Sequence, residues 1–257
     1  MLNMRGIALF GALYKFFHYI LSPISAFDAL DMRLTDRAYT RTVLPAILTT
    51  HYATYFGAFL ASNESRRQNA GHLWALFPLW ISLAQTVAVR GLSTTPSIVS
   101  RDRLYNVTSD MPAIRRTVMA LVAVSIAAWQ YAIWCRPGFP SLADVFLPVL
   151  PIPNVTDLGL DNAYVEFLKW DWAFFAVGNI VWIALLAWDL KAAGMVRSSW
   201  LALVACSVAL ALVGGPGALV GLAWLYREEI LVSRRHKDAV VLSDDQKEVK
   251  CNKSSAL

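Results

Sequence analysis

One stretch constrains this chain more than any other, the run from Glu166 to Asp189. From Trp172 to Trp188 it has no charged residue, and carboxylates and tryptophans frame it at both ends. Those 17 residues are just long enough to cross bilayer hydrocarbon, which is ~30 Å thick. At about 100° per residue, Asp171, Phe175, Gly178, Trp182 and Asp189 fall within about 40° of one line down a helix. One face thus carries an acid, two aromatic rings and the gap left by a glycine. Ile180, Ile183, Ala184 and Ala187 lie on other faces and suit lipid or neighbouring helices. The pattern predicts a helix whose polar and aromatic face lines a cavity inside a membrane bundle. The plainer alternative is a tryptophan belt with ordinary end charges.

Composition agrees with a membrane setting. Hydrophobic residues make up 57% and charged residues 16%, against about 25% charged in soluble domains. The net charge of +5 comes with no basic amphipathic face, so the basic residues read as membrane flanks and not as a nucleic-acid footprint. Cys135, Cys206 and Cys251 are far apart and odd in number. They give neither a disulfide framework nor metal-ligand spacing.

The fold expected is all-α, a bundle of about six transmembrane helices over residues 1–232, followed by a polar, disordered tail over 233–257. The candidate spans are Gly6–Ala26, Thr42–Ala61, Leu73–Val89, Val118–Trp134, the stretch described above, and Trp200–Tyr226. The first is interrupted by Lys15 and His18. A signal peptide is its rival reading, but Ile24-Ser25-Ala26 is a poor cleavage site. His51 lies mid-span in the second helix, among Tyr52, Tyr55 and Phe56. Buried Lys15, His18, His51 and Asn179 should point inward, away from lipid. Gly214 to Ala218 breaks the last span, and a kink there should lean it on the fifth helix. The proline-rich 137–153 segment should lie against one membrane face. Charge counts on the two sides do not fix the orientation. Sequons at Asn63, Asn106, Asn154 and Asn252 leave glycosylation open.

The loop Asp28 to Arg41 mixes acids and arginines. Asp28 and Asp31 have the spacing of half a diphosphate–metal site. No second acidic cluster of similar density follows inside a helix, so no metal is expected.

The order of features resembles the fungal membrane-bound terpene cyclases of the ascochlorin and macrophorin type, with the related membrane proteins of indole-diterpene clusters. The resemblance rests on the run from Asp36 to Pro45, on Leu76 to Trp80, on Trp170-Asp171-Trp172, and on Gly215 to Ala218 with Tyr226 to Glu229. It implies an enzyme of terpenoid or meroterpenoid secondary metabolism, an isomerase or lyase, that protonates a prenyl or epoxyprenyl chain and cyclises it through carbocations. It also implies a multi-pass protein of the endoplasmic reticulum membrane, a lipid-soluble prenylated substrate, other pathway enzymes as neighbours, and no cofactor.

Residue roles follow from the chemistry. Cyclisation needs a buried carboxylic acid, aromatic faces that stabilise cations and exclusion of water. Asp171, with Glu166, Asp36 and Asp31 as partners or rivals, is the candidate acid. Asp171 capping its helix is the competing reading. Trp170, Trp172, Phe175, Trp182, Asn179 and His51 are the candidate substrate-binding residues. Glu166 and Lys169 are spaced to pair. A transporter using His51, Asp171 and Asn179 as a pathway is one alternative, although no inverted repeat is visible. A non-catalytic scaffold is another. No G-x-S-x-G, H-E-x-x-H, P-loop or dinucleotide fingerprint occurs.

Overall fold

A computed structural model describes residues 7–22, 35–92, 108–135, 146–149 and 155–254. The chain divides into two compact units. The first comprises 1–26 and 118–231, the second 27–117 and 232–257. The described residues are helical, with no strand among them. Asp31 and most of the proline-rich segment lie outside the described residues.

In the second unit, Asp36 caps α2 (Arg37–Ile47), its carboxylate accepting the Ala38 N–H at 2.8 Å. Pro45 inside α2 has no N–H to give. The helix then widens into a π turn over Leu48–Tyr52 before continuing as α3 (Ala53–Leu60). The Thr49 and Thr50 hydroxyls donate back to the Pro45 and Ala46 carbonyls. Asn63 caps α4 (Glu64–Ala75), which meets α5 (Phe77–Leu92) at a bend of 65°. Gln85 on α5 donates to the Tyr39 carbonyl of α2. Asp110 is buried and accepts both the amide and the hydroxyl of Thr35.

In the first unit, α1 (Ile7–Leu21) packs along α7 (Val155–Ala192), and α6 (Met111–Trp134) packs along part of α8 (Trp200–Ser254). Gly159 and Gly215 interrupt α7 and α8 with positive φ. Gly215 does more than kink its helix. Leu203 and Leu231 both pack on the cluster of Leu190 and Val196. In a straight helix they would stand about 42 Å apart. The chain therefore folds back at Gly215, and α8 is a hairpin with an outgoing arm from Trp200 and a returning arm from Pro216. Gly215 has φ 81° and ψ 168°, a conformation open to glycine and costly for other residues.

Among the described residues, three stretches are long and apolar enough to cross a membrane by length and composition: Met111–Trp134, Asn162–Ala192 and Trp200–Ser233, the last of them in the folded-back α8. A fourth follows if the bent α4–α5 pair is one broken span. This corrects the expectation of six. Among its described residues the first expected span has 15 residues of helix, about 22 Å. The second is divided by its π turn, and the third is bent near Leu76. The last, read as one kinked crossing, is the hairpin.

Candidate functional site

The face of α7 singled out in the sequence is mostly a seam with α1, and only in part a cavity wall. The two helices run parallel, and their contacts advance in step. Asp171 accepts the backbone N–H of Ala8 at 2.9 Å. Phe175 lies over Gly11, where an added Cβ would come within 2.8 Å of the ring. The Lys15 ammonium sits 4.2 Å from the Phe175 ring centroid and beside Gly178. His18 meets Trp182 edge to face at 5.2 Å. The Tyr19 hydroxyl donates to Asp189 at 3.1 Å. Each glycine makes room for a larger group on the facing helix. Asp171 does act at a helix start, as the capping alternative held, but the helix it serves is α1 and not its own.

Trp182 leaves the seam to line a cavity of about 370 Å³, with Tyr14, His18, Leu121, Val122, Gly217, Gly221 and Trp224. A second cavity of about 240 Å³ is walled by Trp129, Phe146, Trp172, Gly215 and Pro216. Phe146 packs between Trp129 and Trp172, with centroids 5.4 and 4.9 Å away. Gly217 lines both cavities, so they flank the start of the returning arm. A larger space of about 440 Å³ lies between the α8 arms and the end of α7. Its walls are mainly aliphatic, with Tyr226 and Arg227 at the end of the returning arm, and none of the candidate acids or substrate-binding residues lines it.

The hairpin tip is held from α6. Pro216 cannot donate to the Leu212 carbonyl, and the break at Gly215 frees the Val213 carbonyl as well. Trp129 Nε1 donates to Leu212 and Gln130 Nε2 to Val213, at 3.0 and 2.6 Å. Gln130 in turn accepts from Trp134 Nε1 at 2.7 Å. Further along, Gly217 faces Ser125, and a Cβ on Gly221 would come within 2.7 Å of Val122. The broken segment thus leans on α6, the fourth expected span, while both arms of the folded-back helix reach the end of the fifth at Leu190.

The other sequence candidates take these places. Glu166 is buried, pairs with Lys169 at 3.4 Å as its spacing predicted, and accepts the Val149 amide. That bond ties the 146–149 segment, and so Phe146, to the start of the apolar run. Trp170 stacks on Phe174 at 5.7 Å, and its indole nitrogen is buried without a hydrogen-bond partner. Asn179 donates to Phe175 O of its own helix at 2.9 Å. Asp36 is an exposed cap of the second unit. His51, also in that unit, sits on the π turn among Phe77, Tyr52, Trp74 and Tyr55, with centroids 4.5 to 6.5 Å away. No group of three or more His, Cys, Asp or Glu that could hold a metal ion occurs among the described residues. Sequence reading missed Trp129, Phe146, Trp224 and Tyr14 as cavity residues. The one available signal was Trp129 standing beside Gln130, the single strongly polar side chain of the fourth span.

The profile of the CtvD domain matches residues 1–232. The chain belongs to that family. A curated relative, the FAD-dependent monooxygenase anuJ of Penicillium roqueforti, is 49% identical over 94% of this chain. The FAD-dependent monooxygenase verC1 of Penicillium polonicum is 35% identical over 93%, and BOA8 of Botryotinia fuckeliana, also named so, is 27% identical over 89%. In each case the matched part is 29% of the relative. This CtvD-domain chain thus spans less than a third of the length of the curated relatives it matches. No solved structure matches it.

Proposed function

We propose that this CtvD-domain protein is a membrane-embedded cyclase of fungal secondary metabolism, which opens an epoxide on a prenyl chain and closes rings through carbocations. The observation that carries the reading is the pair of aromatic cavities meeting at Gly217, built between helices apolar enough to lie in a bilayer. Indole and phenyl faces stabilise a desolvated cation by up to ~2 kcal/mol or more each, and a lipid-embedded cavity keeps out the water that would quench it. The names of the relatives favour the epoxide over the plain alkene as the starting group. A flavin monooxygenase inserts one oxygen atom, and on an alkene that gives an epoxide. The part of the relatives beyond the match is long enough to hold such an activity.

In this reading a carboxylic acid gives its proton to the epoxide oxygen. The C–O bond breaks with its electrons staying on oxygen, which becomes a hydroxyl. The π electrons of an internal alkene form the new C–C bond, and the last cation loses a proton to a base. Asp171 is the acid proposed, or the carboxylate that positions it. One of its oxygens holds α1 in place, and its neighbour Trp172 walls the smaller cavity. Glu166 anchors the Phe146 segment that closes the same cavity.

Microsomes containing only this chain, given epoxyprenylated aromatics, should yield isomers of unchanged mass and altered retention. Asp171→Asn keeps an oxygen for the Ala8 N–H, so the protein should accumulate normally. Turnover should fall by about 10²–10⁴-fold, the usual worth of a general acid. Asp189→Asn, at the other end of the same seam, should stay within a few-fold of the parent. Normal turnover by Asp171→Asn would end its acid role. A substrate that crosses vesicle membranes unchanged would favour the transporter.

A further inference from the structure

Between the ends of the α1–α7 seam, three nitrogens are buried without a hydrogen-bond partner: Lys15 Nζ, His18 Nδ1 and Trp182 Nε1. Lys15 is only 9% exposed. No carboxylate pairs with it among the described residues, and the Phe175 ring faces its charge. At the ends of the same seam, Asp171 and Asp189 each accept a hydrogen bond from α1. Such groups in a native fold call for a partner. All three lie on one stripe. Lys15 and His18 are i and i+3 on α1, while Gly178 and Trp182, which face them, are i and i+4 on α7.

We propose that this stripe binds the acidic oxygen of an amphiphile, a carboxylate or an ionised phenol or enol. Lys15 supplies the charge, Trp182 and His18 add neutral donors, and the apolar body occupies the adjoining cavity. The donor set is what argues for an anion. An ammonium presents three donors and no acceptor, an indole presents one, and a carboxylate-type oxygen can accept several. The cavity reached through His18 and Trp182 is walled by Leu121, Val122, Val220 and Trp224. Its volume of about 370 Å³ is in the range of small-molecule sites, where a few placed polar groups fix orientation inside an apolar wall. Within the proposed function this deepens the substrate description. The chain to be cyclised would carry an acidic head, held at α1, with its apolar tail running toward Trp224. The inference depends on the cyclase reading only in calling that amphiphile the substrate.

Binding is measurable without turnover. The purified protein in phosphatidylcholine nanodiscs is titrated with dodecanoate and, separately, with 1-dodecanol, following its melting temperature. Dodecanoate should raise the melting temperature and dodecanol should not. Lys15→Met should weaken the dodecanoate effect by about tenfold or more in apparent affinity, the loss of a charge-assisted contact. Lys191→Met, beyond the seam, should leave it unchanged. Trp182→Phe keeps the ring and removes one donor. It should weaken the effect less, and it serves as the readout if Lys15→Met does not accumulate. Equal responses to the acid and the alcohol, or full retention in the Lys15 and Trp182 variants, would overturn the site. Nanodiscs containing phosphatidylglycerol distinguish the source of the anion. A Lys15-dependent rise with that lipid alone would give the site to a headgroup and overturn its assignment to a substrate. A Lys15-dependent response to dodecanoate in a protein that cyclises nothing would keep the binding site and remove only the cyclase.

Discussion

The two seams of the first unit are built from opposite materials. Where α6 meets the returning arm of α8, small residues bring the backbones close, and the carbonyls freed at the break each receive a side-chain donor from α6. Where α1 meets α7, aromatic rings and ionisable groups fill the interface, and three buried nitrogens in its middle have no hydrogen-bond partner. A membrane joint meant only to hold needs small residues and satisfied polar groups, as the first seam has. Polar groups in hydrocarbon are expensive and mark sites of function. We read the α6–α8 seam as the structural joint and the α1–α7 seam as the one that carries the proposed chemistry.

The comparison can be broken most forcefully at Gly215. Gly215→Leu forces a side chain into a positive-φ position and onto the Trp129 ring, 2.8 Å from where its Cβ would stand. Positive-φ strain of about 1–3 kcal/mol and overpacking of about 1–3 kcal/mol should combine into a loss that prevents accumulation in microsomes. A variant that accumulates and melts like the parent would mean that the hairpin tip is not the rigid joint described. A smaller loss is expected for Gln130→Leu. The Val213 carbonyl would lose its donor in an apolar setting, costing about 1–3 kcal/mol, seen as a lower melting temperature in detergent. At the other seam, Tyr19→Phe removes one partly exposed hydrogen bond to Asp189. It should cost no more than about 0.5–1.5 kcal/mol. A larger effect there than at Gln130 would reverse the assignment of the two seams.

Much of this was legible in the chain because period and composition speak directly to helices in lipid. The three long apolar helices coincide with the fourth, fifth and sixth expected spans. The Glu166–Lys169 pair followed from its spacing. The α7 face was drawn correctly, but its partner was not. A stripe of Asp171, Phe175, Gly178 and Trp182 has the same periodicity whether it faces a void or another helix. Only the matching stripe of Ala8, Gly11, Lys15 and His18 decides between the two, and nothing local links stripes so far apart in sequence. Gly214 to Ala218 announced a break, but not its angle, because one glycine dihedral separates a kink from a reversal. Gln130 stood out as polar, yet its acceptor was a carbonyl on a helix 83 residues away.

That reversal at Gly215 also decides which residues become neighbours. A hairpin whose arms start and finish beside Leu190 brings both of its ends to one end of the first unit. The turn after α7 therefore lies at the same end as the close of the returning arm. Lys191 and Arg197 before the hairpin share that end with the Arg227–Glu228 ion pair. A straight helix would have carried these charges about 42 Å apart. Their gathering depends on a single hydrogen atom at position 215, where any other residue would carry a side chain.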